Sequence, residues 1–159
     1  MQQVLTFAEW AKAEGWKVEL QAHEVQLPPA IRKRFPQIPH DVVGFISQVK
    51  TCVRKDDTAW MLCVEDFVRN EGFRWDEFER LSLDAASDDV EWQGRITSFW
   101  NDHLPVVISC KGEYCYFAVR LKDGVVVRGD EPEFEETTEV AKSFGALLEA
   151  ISKGTIVIP

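Results

Sequence analysis

Long apolar runs are missing from this chain. No stretch of about 18 apolar residues occurs, and without one a membrane-spanning helix is not expected. Basic charge is missing from the start: Met1-Gln2-Gln3-Val4-Leu5 carries none, and Glu9 then intervenes before an apolar signal region can develop. The expected location is therefore the cytoplasm. A Gly-rich phosphate loop, a dinucleotide fingerprint and a Gly-x-Ser-x-Gly elbow are all lacking, which removes the main support for nucleotide and hydrolase chemistry. Histidine is sparse, with His23, His40 and His103 far apart. The nearest approach to a metal set is His103 with Cys110 and Cys115, whose spacing is not that of a zinc knuckle. No metal and no cofactor are expected. Internal repeats, flexible linkers and low-complexity segments are absent too, so residues 1–159 read as a single domain.

What is present describes a globular chain. Hydrophobic residues make up 45% and charged residues 28%, and the apolar positions are spread throughout, as a packed core requires. A chain of this length buries roughly 68–70% of its unfolded surface. The four cysteines, Cys52, Cys63, Cys110 and Cys115, lie in or beside apolar runs and read as buried, reduced thiols. A catalytic cysteine needs a cation, a helix N-terminus or a histidine beside it, and no spacing here places one. The formal net charge of -9 repels phosphate backbones and anionic membranes, so neither nucleic acid nor a membrane is an expected partner. A cationic protein is. The densest basic cluster, Arg32-Lys33-Arg34, reads as a solvated helix face.

The pattern along the chain changes from helical to strand-like. Thr6 and Glu9 have capping-box spacing, with Leu5 and Trp10 as a staple, which predicts a helix over Phe7 to Glu14 stopped by Gly15. Trp16 to Leu20 suits a strand or an extended connector. Leu27-Pro28-Pro29 opens a proline-initiated helix through Phe35, and Asp41 to Val49 suits another. Thr58 to Val64 has the length of an interior strand. A helical turn is expected at Asp76 to Glu79 and a helix across 89–102, with Asp88 and Glu91 as its capping box. Val106 to Cys110, Tyr114 to Leu121 and Val125 to Arg128 then read as an antiparallel meander, the last two joined by an Asp123-Gly124 turn. Thr137 to Val140 re-enters the sheet. Ser143 caps a final helix bearing Phe144, Leu147, Leu148 and Ile151 at helical spacing, and Thr155 to Ile158 is apolar enough for a last strand.

The run from His103 to Ile151 resembles the SUKH superfamily, which contains bacterial toxin-immunity proteins and fungal cell-wall-synthesis regulators of the Smi/Knr type. The residues that carry the likeness are Leu104-Pro105-Val106-Val107-Ile108-Ser109, Gly112-Glu113-Tyr114-Cys115-Tyr116, Asp123-Gly124-Val125-Val126, the acidic stretch from Asp130 to Glu136, and Ala141-Lys142-Ser143-Phe144 leading to Leu148. Leu27-Pro28 and Trp75-Asp76-Glu77-Phe78-Glu79 resemble family segments as well. The resemblance implies an α+β fold: a twisted, mainly antiparallel sheet with helices packed against it, helices at the N-terminal end and one at the C-terminal end. It also implies a non-catalytic protein that binds and neutralises a cognate toxin. A regulatory or scaffolding protein, or a small cysteine or carboxylate enzyme, stays open as an alternative. Exposed sheet edges leave the oligomeric state open.

The expected binding residues are Asp130, Glu131, Glu133, Phe134, Glu135 and Glu136. They form an acidic loop in which Phe134 is an apolar anchor among like charges, suited to a basic toxin domain. Folding of Phe134 back onto the core is the alternative reading. Trp75 and Trp92 also sit among acids in weakly periodic stretches. Trp75 is taken as a further contact, against core burial for both.

Overall fold

The computed structural model describes residues 1–159. The strands are β1 (Lys17–Leu20), β2 (Val49–Val53), β3 (Ala59–Met61), β4 (His103–Ser109), β5 (Cys115–Arg120), β6 (Val126–Asp130) and β7 (Thr137–Ala141). They form one seven-stranded sheet in the order β1-β2-β3-β4-β5-β6-β7, antiparallel at every step. Seven helices accompany it: α1 (Gln2–Ala13), α2 (Pro29–Arg34), α3 (His40–Gln48), α4 (Val64–Val68), α5 (Glu77–Ala85), α6 (Val90–Asp102) and α7 (Phe144–Ser152). The expected α+β class is the one observed, and helices stand at both ends of the chain. None of them is long and apolar enough to cross a membrane.

The middle of the sheet is covered on both faces, since every residue of β4 and all but the last of β5 are buried. Successive residues of a strand point to opposite faces. On the Tyr116 face, α5 and α6 supply Phe78 and Trp100, whose rings lie 5.6 and 4.9 Å from that of Tyr116. A second helical group is α1, α3 and α7, held by the edge-on rings of Phe7, Phe45 and Phe144. It is also tied by polar bonds at one point: Gln3 donates to the Gly145 carbonyl (2.7 Å), and the Gly145 amide donates to Asp41 (2.8 Å). Pro105, which has no donor for the ladder, sits where the β4–β5 register shifts, as a bulge allows.

Several elements depart from the sequence reading. The first helix begins at Gln2, not Phe7, because Val4 extends the inward stripe of Phe7, Ala8 and Ala11. Burial along that stripe outweighs the local cap, and the Thr6 hydroxyl donates to the Gln2 carbonyl inside the helix. Gly15, with φ +84°, ends α1 as expected. Val49 leaves the third helix and opens β2, whose remaining residues 50–53 carry no strand expectation from the sequence. Helix α5 is longer than the single expected turn, and the cap of α6 is Asp89, whose side chain accepts from the Trp92 amide (2.9 Å). The tail makes no last strand: Thr155 and Ile156 amides fold back to the Ala150 carbonyl, and Ile158 is buried.

Candidate protein-binding surface

The acidic loop joins β6 to β7, and its backbone is clamped to the sheet at both ends. At the first end, Glu131 exchanges two bonds with Tyr114: its amide donates to the Tyr114 carbonyl (2.9 Å), and its carboxylate accepts from the Tyr114 amide (2.7 Å). At the other, the Tyr116 hydroxyl donates to the Phe134 carbonyl. Burial pushes the Tyr116 phenol well above the usual tyrosine range, with Glu135 adding to the effect, so the hydroxyl keeps the proton that it donates. Gly129 makes the approach possible. A Cβ there would lie 2.5 Å from the Tyr116 hydroxyl and 2.6 Å from the Phe134 carbonyl oxygen, closer than non-bonded atoms can stand.

Phe134 is not an exposed anchor. Its side chain is 5% exposed and stacks on Phe78 with ring centroids 4.5 Å apart and planes 15° apart. The physical reason is that α5 presents a large aromatic face beneath the loop, and burying a phenylalanine there outweighs leaving it among carboxylates in water. Glu135 turns inward too, accepting from the Trp100 indole N–H (2.9 Å). Asp130 pairs with Arg128 (2.9 Å). That leaves Glu133 and Glu136 on the outside. They lie on one turn, the Glu136 amide donating to the Glu133 carbonyl (3.0 Å), and neither carboxylate has a cation partner.

Trp75 belongs elsewhere. It is half-buried against Phe35 and Phe67, with the Arg34 guanidinium 5.6 Å from its ring, and it does not line the groove beside the acidic loop. The tryptophan that does is Trp92, 41% exposed on the first turn of α6. Trp92 and the 38% exposed Leu81 of α5 face a groove of about 530 Å³ between α5, α6 and the loop, floored by Ile96 and Phe134 and edged by Glu133, Glu135 and Glu136. The only basic lining residue, Arg95, is engaged by Glu91 (3.1 Å). Sequence signals for this groove existed in Trp92 and Leu81, but only their convergence with the loop distinguishes them from core residues.

The remaining chemistry-bearing residues do not converge. His103 and Arg120 pair at one end of the β4–β5 ladder, and Ser109 and Cys115 at the other, which at the rise of a strand is roughly 20 Å away. The candidate set of His103, Cys110 and Cys115 is therefore not assembled. His103 stacks on Phe99 (4.0 Å), its Nδ1 lies 2.7 Å from the Phe99 carbonyl, and burial pulls its pKa below the ordinary value. Burial pushes the thiols up: Cys52 to about 12, Cys110 and Cys115 to about 11, and Cys63 higher still. At neutral pH all four are protonated and pack as small apolar groups. No family model, curated protein or solved structure matches this chain.

Proposed function

We propose that this chain is a non-catalytic protein-binding domain of the immunity type, acting in the cytoplasm, which neutralises a cognate basic toxin by occupying a cationic face of it. The observation that carries the reading is the corner where Glu133 and Glu136, without cations of their own, border an apolar groove. Unpaired carboxylates beside exposed apolar surface suit recognition: the charges speed encounter and select sign, and the groove supplies contact area. The resemblance of residues 103–151 to the SUKH superfamily points the same way.

The test is coexpression with the toxin-like product of an adjoining gene. The expected result is rescue of growth and a complex that co-elutes in size-exclusion chromatography. Neighbouring genes that encode nothing toxic, or a toxic product that neither binds nor is neutralised, would overturn it.

A further inference from the structure

We infer that the groove between α5, α6 and the β6–β7 loop receives a short basic, apolar segment of another protein, with leucine-like side chains against Leu81 and Trp92 and an arginine or lysine at Glu133 and Glu136. This deepens the protein-binding reading and rests on it, but it does not require the partner to be a toxin.

Shape and charge together select this occupant. The groove is larger than one side chain, its floor and walls are Ile96, Phe134, Leu81 and Trp92, and such a lining has no use for a wholly polar ligand. Its rim carries three carboxylates, of which only Glu135 is held, by one oxygen, to Trp100. The guanidinium of Arg95 faces Glu91 of its own helix and pairs with none of the three. A long-stemmed cation satisfies both halves, since its methylenes lie along the apolar wall while its head reaches the rim, and an exposed tryptophan beside it adds attraction for a cation. A second copy of the chain is a poor occupant: it brings the same carboxylates and a net charge of -9.

The floor is also tied down by the chain's own contacts, without a partner. The Phe134–Phe78 stack, the Tyr116 hydroxyl on the Phe134 carbonyl and the Trp100 indole on Glu135 hold it from three sides. Less ordering is then required on association.

The experiment titrates the isotope-labelled full chain with a short amidated peptide of leucine, alanine and arginine at amphipathic helical spacing, and follows amide shifts by NMR. Shifts are expected to be confined to the second half of α5, the first half of α6 and residues 132–136. E133K with E136K, and separately W92A, should weaken binding by about tenfold or more while leaving the denaturation midpoint unchanged. E149K, which reverses a charge on α7, should leave the affinity as it is. Shifts spread over other acidic faces would overturn the inference, as would equal binding of a peptide with glutamate in place of arginine. Concentration-dependent shifts of the same residues without peptide would also overturn it, by assigning the groove to a second copy. A toxin found by coexpression that binds E133K/E136K and W92A as tightly as the parent chain would sink this site and leave the immunity reading standing. A confined, charge-dependent peptide site with no toxin partner would do the reverse.

Discussion

Residues 73–79 and 130–136 both mix acids with aromatics, three of each in the first and five acids around Phe134 in the second, and they end in opposite states. In the first, each acid meets an arginine: Asp76 pairs with Arg74 (3.2 Å), Glu77 with Arg80 (3.5 Å) and Glu79 with Arg34. Arg34 also lies over the rings of Phe35 and Trp75, at 5.2 and 5.6 Å. In the second, only Asp130 has a guanidinium, Glu131 and Glu135 are tied by neutral donors, and Glu133 and Glu136 face outward alone. Composition separates the two stretches only in part, through Arg74 in the first and the absence of any base in the second. The difference is the supply of arginine, and most of all Arg34, which reaches the first stretch from a helix far back in the sequence. Negative charge is available to a partner only where the fold has not already neutralised it.

The contrast is most severely broken at Gly129. G129A drives a Cβ into the Tyr116 hydroxyl and the Phe134 carbonyl, so the loop must lift or the strand must shift. A loss of about 3 kcal/mol is expected from urea denaturation, at the upper end for overpacking. A smaller effect comes from making 73–79 resemble 130–136. R34M leaves the largely buried Glu79 without its cation, and a loss of about 2 kcal/mol is expected, discounted for partial exposure of the pair. Adding E79Q should restore part of that loss; a double variant less stable than R34M alone would show that the arginine acts by packing on Phe35 and Trp75. Smallest of all, E133Q with E136Q should change stability by no more than about 0.5 kcal/mol in either direction, since both residues are exposed and no ion pair holds their carboxylates. A larger loss would mean that they support the fold and are not held in reserve for a partner.

Much of this was legible in the residues where local chemistry and tertiary packing agree. Ser143 caps α7 by accepting from the Ala146 amide (3.1 Å), and Phe144, Leu147, Leu148 and Ile151 are all buried along its inward stripe. Pro29 opens α2, and Asp123-Gly124 turns β5 into β6. The illegible parts depended on distant partners. Whether Thr6 caps or lies mid-helix is decided by the burial of Val4. Whether Val49 ends a helix or opens a strand is decided by β1, with which β2 pairs. The acidic loop could be located from Pro132 and its carboxylates, but not which of its residues turn inward. That is set by Phe78, Trp100 and Tyr116, brought there from two helices and a neighbouring strand.

Strands β3 and β4 are direct neighbours in the sheet, yet the chain leaves it after Met61 and returns only at His103. Helices α4, α5 and α6 are thus, in topological terms, one excursion between two adjoining strands, and replacing them would not rethread a single strand. Their undersides are committed, because Phe78, Ile96 and Trp100 must seal the sheet. Their outer surfaces carry no such obligation, so a lineage could alter the residues this layer exposes, one by one, over an unchanging foundation.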